Sequence, residues 1–161
     1  MSRYITRCVL VALVLLGCVG CDQLSKTAAR AYLPGTGVHS YLNDTLRLEY
    51  AQNSGAFLNL GATLSPAVRY DSFIIGVGVF VLALLLWAVA GARLSWLQRI
   101  ALAAVGAGGL GNLIDRIRFD GAVTDFLNLG LGPLRTGIFN LADAILTLGA
   151  VVLVITLRAR P

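Results

Sequence analysis

The sequence is poor in most of what a water-soluble enzyme uses. Of its 161 residues 13% are charged and 57% are hydrophobic, and there is one histidine, one methionine and four prolines. So little charge on so apolar a chain excludes an ordinary soluble domain, and part of its solvent must be lipid. The single histidine, His39, sits in a polar stretch and reads as a surface residue. It leaves a Ser-His-Asp triad without support, and an H-E-x-x-H zinc site is absent. No serine stands in a G-x-S-x-G elbow. A serine–lysine dyad would need Lys26, whose neighbour Ser25 is rotated by roughly 100° on a helix. Cysteine is equally sparing: Cys8, Cys18 and Cys21 all fall in the first apolar stretch, which excludes a disulfide framework. The C-x-x-C at Cys18 and Cys21 has neither a thioredoxin-like context nor a second ligand pair, so these read as packing cysteines. Repeats and low-complexity tracts are missing. The net charge of +5 does not gather into a basic stripe. Arginines scattered at the ends of apolar segments point to lipid headgroups and away from nucleic acid.

What is present is four apolar segments. A spanning helix takes about 20 residues, so four would use roughly half the chain and leave no room for a second domain. Residues 1–161 therefore read as one membrane-embedded domain, mainly α, with spans over 7–29, 72–90, 100–115 and 138–157. The second span carries no charge. The third is marked by Gly106, Gly108, Gly109 and Gly111, small residues that let a neighbouring helix approach closely. Trp87 and Trp96 flank one boundary as interface anchors. Leu15-Leu16-Gly17-Cys18 looks like a lipobox, which would make the chain a lipoprotein precursor. Against that, the polar turn beyond it stays in helical phase, and a lipid-anchored product rarely carries three further spans.

Between the first two spans, residues 41–50 alternate Leu46, Leu48 and Tyr50 with Thr45, Arg47 and Glu49, the pattern of a short extracytoplasmic sheet. Residues 116–137 read as a second outer loop, marked by glycine and proline and able to cover a site. Basic residues are dense in the N-terminus, residues 91–99 and the tail, and sparse in the other loops. This places both termini in the cytoplasm and gathers all eight acidic residues outside or near the outer membrane face.

Ionisable and amide side chains at membrane depth cost several kcal/mol unless they are paired or needed, so they are the informative residues. Asp22 and Lys26 are spaced i, i+4; Asn112 and Asp115, and Asn140 and Asp143, are spaced i, i+3. Each pair shares a helical face, and the topology puts all three at one outer boundary. Asp125, flanked by apolar residues, should lie back toward the same surface. If Asp125 and Asp143 meet, they form a coupled pair, one protonated and one ionised, able to activate water against a peptide carbonyl with neither metal nor cofactor.

The same residues carry a resemblance to the lipoprotein signal peptidase (signal peptidase II) family. Its D-Q-x-[ST]-K motif appears as Asp22-Gln23-Leu24-Ser25-Lys26, and G-N-x-x-D-R as Gly111-Asn112-Leu113-Ile114-Asp115-Arg116. V-x-D-F is Val123-Thr124-Asp125-Phe126, and F-N-x-A-D is Phe139-Asn140-Leu141-Ala142-Asp143. The N-x-G block, Asn53-Ser54-Gly55-Ala56-Phe57, is one small residue shorter than the family's usual N-x-G-[AV]-A-F. The resemblance implies a catalytic dyad of Asp125 and Asp143, with Asp22, Lys26, Asn53, Gly55, Asn112, Asp115, Arg116, Asn140 and Ala142 supporting it or contacting substrate. It implies a monomeric inner-membrane aspartyl endopeptidase without cofactor, embedded among membrane lipids. Its substrate would be a prolipoprotein bearing a diacylglyceryl-cysteine, cut just before that cysteine at the outer face. The rival reading is a non-enzymatic membrane module whose aspartates relay protons or cations, and relay carboxylates would be expected near the bilayer midplane.

Overall fold

The structure, a computed structural model, describes residues 2–56 and 60–158. In chain order it runs α1 (Ser2–Tyr32), β1 (His39–Tyr41), β2 (Leu46–Asn53), α2 (Pro66–Tyr70), a π-helical turn (Asp71–Gly76), α3 (Val77–Ala90), α4 (Trp96–Arg118), β3 (Val123–Leu131), β4 (Leu134–Arg135) and α5 (Leu141–Arg158). Four helical stretches, Arg3–Tyr32, Pro66–Ala90, Trp96–Arg118 and Leu141–Arg158, are long and apolar enough to cross a membrane. They are the four expected spans with shifted ends. The second starts earlier, at Pro66, because the Ser65 side chain caps Val68 N and α2 runs on through the π-helical turn. The fourth starts later, because Asn140 stands outside the helix as its N-terminal cap.

The bundle is built around α4. Of its span 67% is buried, against 6%, 11% and 11% of the others, whose apolar faces are left for lipid. Its glycines explain how. A Cβ on Gly108 would lie 2.4 Å from Ala142 O and 2.8 Å from Leu146 Cβ on α5. On Gly106 and Gly109 it would lie 2.7 Å from Leu85 and Val81 of α3. Close approach of backbones, with dispersion in place of a hydrophobic drive, is how helices associate in lipid. α4 begins in a capping box, Ser95 Oγ accepting from Gln98 N (3.2 Å) and Gln98 Oε1 from Ser95 N (3.0 Å). Arg99, 2% exposed, turns back to donate to Ala88 O (2.5 Å), Val89 O (3.2 Å) and Gly91 O. One cation thus satisfies the carbonyls that the end of α3 leaves unpaired.

The sheet is antiparallel in the order β1-β2-β3-β4 and sits at one end of the bundle. Here the structure departs from the sequence reading: much of residues 116–137, read as a loop, is strand. Regular alternation is lost there because Val123, Thr124, Asp125 and Phe126 are all buried, so both faces of β3 are covered where it leaves α4. The β2–β3 register shifts between Leu48 and Ala51. Beyond the shift Ala51 faces Asp125 and Asn53 faces Val123, which places the end of β2 beside the buried start of β3.

Gly108→Ala should weaken the α4–α5 contact by about 1–3 kcal/mol, because the backbones must separate to admit a methyl group. Gly17→Ala, where an added Cβ meets nothing within 4 Å, should be silent. Thermal denaturation of the two variants in detergent checks this contrast.

Candidate active site

All the supporting residues expected from sequence converge where the helices meet the sheet. Asp22 and Lys26 come from the C-terminal half of α1, which the chain keeps helical to Tyr32. Lys26 Nζ lies 2.9 Å from Asp22 Oδ2, 2.8 Å from Asn112 Oδ1 and 3.7 Å from Asp115 Oδ2, and its side chain is fully buried. Asp22 Oδ1 accepts from Ala142 N (2.9 Å), a free donor in the first turn of α5. A Cβ on Gly111 would lie 2.5 Å from Asp22 Oδ2, so only glycine leaves room for that carboxylate.

Asp115 and Arg116, adjacent on α4, point to different partners, as helical spacing demands. Asp115 Oδ2 accepts from Thr124 N (3.0 Å) and tethers the start of β3 to the end of α4, one residue before Asp125. Arg116 donates to Gly55 O (2.8 Å), while Gly55 N donates to Asn53 Oδ1 (2.9 Å). The Asn53–Gly55 turn is held from both sides. Phe57 of the shortened motif lies outside the described residues. Arg116 also lines a cavity of about 430 Å³, with Arg69, Tyr70, Phe73, Ile74 and Ile117 among the other walls.

At the centre, Asp125 Oδ1 accepts from Asn140 Nδ2 (2.7 Å) and Oδ2 from Asn53 Nδ2 (3.0 Å). Asp143 Oδ1 accepts from Asn112 Nδ2 (2.7 Å) and Oδ2 from Asn140 N (3.2 Å). Asn140 Oδ1 in turn accepts from Asp143 N (3.0 Å), so Asn140 and Asp143 form a reciprocal cap on α5. One asparagine therefore touches both carboxylates, Asp125 by its side chain and Asp143 by its backbone. Burial pushes the Asp125 carboxyl up to about 6, against the Asn53 and Asn140 donors that favour its anion; the neighbouring Asp143 adds to the rise and Lys26 opposes it. Two carboxyl groups so held can share a proton and polarise a water.

Gln23, Arg30 and Thr124 belong to this network although sequence reasoning gave them no role. Gln23 Nε2 donates to Asp22 Oδ2, Gly111 O and Asp115 Oδ1, each at 3.1 Å. Arg30 donates to Thr124 Oγ1 (3.0 Å) and lies 3.6 Å from Asp115 Oδ2. Arg30 is i+4 from Lys26, a signal that was available. His39 hydrogen-bonds locally, to Thr36 Oγ1 at 2.8 Å, as a surface histidine would.

A family model described as signal peptidase (SPase) II matches residues 13–159. The chain belongs to the signal peptidase II family. Membership makes it a membrane peptidase that removes signal peptides. The lipoprotein signal peptidase of Desulforapulum autotrophicum is 34% identical over 156 residues, covering 95% of this chain and 92% of that one. That of Halothermothrix orenii is 32% identical over 148 residues, covering 92% and 94%. A solved structure described as a bacterial membrane enzyme, obtained by the in meso method, superposes with a TM-score of 0.78 at 26% identity, covering 91% of this chain and 86% of that one. A second, described in the same words, gives 0.77 at 25% identity with 94% of each covered. The signal peptidase II fold and the network just described thus occur in one chain.

The elevated Asp125 carboxyl has a consequence for stability. A group whose folded-state value lies above its unfolded one contributes stability in acid and loses it as pH rises through the folded value. From 3.8 to about 6 this amounts to at most about 3 kcal/mol. Thermal midpoints in detergent should fall between about pH 4 and about pH 6 and level off above, and Asp125→Asn should flatten that slope. A slope unchanged by the substitution would assign the titration to another group.

Proposed function

We propose that this member of the signal peptidase II family is an aspartyl endopeptidase that removes the signal peptide from prolipoproteins, cutting just before a diacylglyceryl-modified cysteine. Asp125 and Asp143 are its catalytic residues. The observation that carries the assignment is the placement of Asn140, with one N–H on Asp125 and another on Asp143, which holds a buried and a half-buried carboxyl group beside one another. In such a pair one carboxylate draws a proton from water while the other, protonated, donates to the scissile carbonyl. The curated relatives carrying the name lipoprotein signal peptidase support this substrate class.

The site faces the extracytoplasmic side and both termini the cytoplasm, the orientation favoured by the density of arginine at the opposite end. At that depth the acyl chains of a substrate remain in lipid between helices while the peptide reaches the carboxylates. The cavity between residues 66–74 and the end of α4 supplies an opening beside Arg116. The chain acts as a monomer among membrane lipids. The gathering of carboxylates at the sheet end, beside Asn53 of β2, supports surface chemistry over a proton relay.

Asp125→Asn and Asp143→Asn should each abolish cleavage of a lipidated precursor by purified enzyme while leaving the protein in the membrane, since an amide cannot pass the proton. Near wild-type turnover by either would remove the dyad. Asn140→Ala should cost about 10- to 1000-fold, as for other positioning donors.

A second comparison tests the substrate. If acyl chains position the peptide, an unlipidated precursor should lose turnover as well as apparent affinity, because remote binding energy is what holds the scissile bond at the dyad. Equal turnover of the two precursors would leave a general membrane peptidase.

A further inference from the structure

The buried and half-buried charges of the site do not balance. It contains four carboxyl groups, Asp22, Asp115, Asp125 and Asp143, and three cations, Lys26, Arg30 and Arg116. Asp120 and Arg69, facing the adjoining cavity, are one of each sign. With every group ionised, one negative charge remains, and a single proton neutralises it. Asp22 and Asp115 are already paired with cations, Lys26 lying 2.9 Å from the first and Lys26 and Arg30 3.7 and 3.6 Å from the second. The proton belongs to the dyad.

The two members of the dyad are not equivalent. Asp143 is in the first turn of α5, where free backbone N–H groups and the helix dipole favour a carboxylate, and it accepts from Asn140 N. Its other donor, Asn112 Nδ2, belongs to an amide whose oxygen accepts from the Lys26 ammonium at 2.8 Å. That contact polarises the amide and strengthens its N–H toward Asp143. The same contact fixes the orientation of Asn112, since an ammonium can only donate. Asp125 is on a strand, with no helix dipole behind it. Its donors are two neutral side-chain amides, Asn140 Nδ2 and Asn53 Nδ2, neither of which is polarised by a cation on its own oxygen as Asn112 is.

Resting on the aspartyl reading above, we infer that the resting dyad carries its proton on Asp125 and keeps Asp143 ionised, with Asn112 as the positioning residue that conveys the charge of Lys26 to Asp143. Asp143 is then the general base. It takes a proton from water as the water oxygen bonds to the scissile carbonyl carbon, while Asp125 gives its proton to the carbonyl oxygen. In the second half the C–N bond breaks, Asp143 returns its proton to the leaving amine, and Asp125 recovers one from the diol. Water is consumed, an acid and an amine are formed, and the dyad ends as it began.

Infrared spectra of the full-length enzyme in detergent at about pH 5, where a singly protonated dyad should dominate, test the assignment without substrate. The C=O band of a buried carboxylic acid should remain in Asp143→Asn and be missing from Asp125→Asn; any other pattern overturns the inference. Because no cleavage is read, this outcome is separate from whether the chain processes lipidated precursors. If either variant fails to fold, the pH profile of kcat/KM decides instead, its acid limb reporting the base and its basic limb the acid. Asn112→Ser should raise the acid limb by about one pH unit and leave the basic limb in place. Asn53→Ser should raise the basic limb alone. Exchanged responses would make Asp125 the base, and rate losses with neither limb moved would reduce both asparagines to structural support.

Discussion

Everything at this site depends on burying one ammonium group. Lys26 is fully enclosed at the junction of α1 and α4, its ammonium in contact with Asp22 and Asn112 and within ion-pairing distance of Asp115. An uncompensated charge at that depth would be intolerable, and removing one partner of a buried ion pair costs about 3–5 kcal/mol. The carboxylates must therefore come to the lysine, and each brings another element with it. Asp22 carries the start of α5 through Ala142 N, and Asp115 carries the start of β3 through Thr124 N. Asp143 and Asp125 are the next residues along those same elements. The proposed dyad is positioned by where the structural pair must go.

Close packing makes this possible. Gly108 lets α5 lie against α4, and Gly111 leaves space for Asp22 between them. An alanine in place of Gly111 would press on the carboxylate that anchors α5, so the small residues of α4 serve the chemistry as directly as the polar ones do. Asn140 then completes the arrangement with no charge of its own. Its side chain and backbone are shared among Asp125, Asn112 and Asp143, and it caps α5 at the same time. Few residues could be changed here without disturbing both the helix end and the dyad.

Much of this was legible in the sequence, for reasons specific to membranes. Polar residues in apolar segments are costly enough that Asp22, Lys26, Asn112, Asp115, Asn140 and Asp143 stood out, and helical spacing paired them. The convergence of α1, α4 and α5 followed from topology alone. The strand carrying Asp125 was harder to see, since Val123 to Phe126 are buried on both faces and carry no alternation. Gln23 was hidden for a different reason. Its contribution is a three-way donation to Asp22, Asp115 and a backbone carbonyl, which no spacing rule anticipates. The N–H groups of Ala142, Thr124 and Asn140 were invisible in principle, because every residue except proline has one.

The burial of Lys26 has a practical side. It is the only lysine in the chain, and its ε-amine is 0% exposed. Reagents that acylate lysine, and proteases that need one in an extended and accessible backbone, find no such target while α1 stays packed on α4. Side-chain amine modification, followed by mass spectrometry, would therefore report the opening of this one junction against a silent background. A protein with a dozen surface lysines offers no equivalent measurement; here the residue that organises the site is also its own probe.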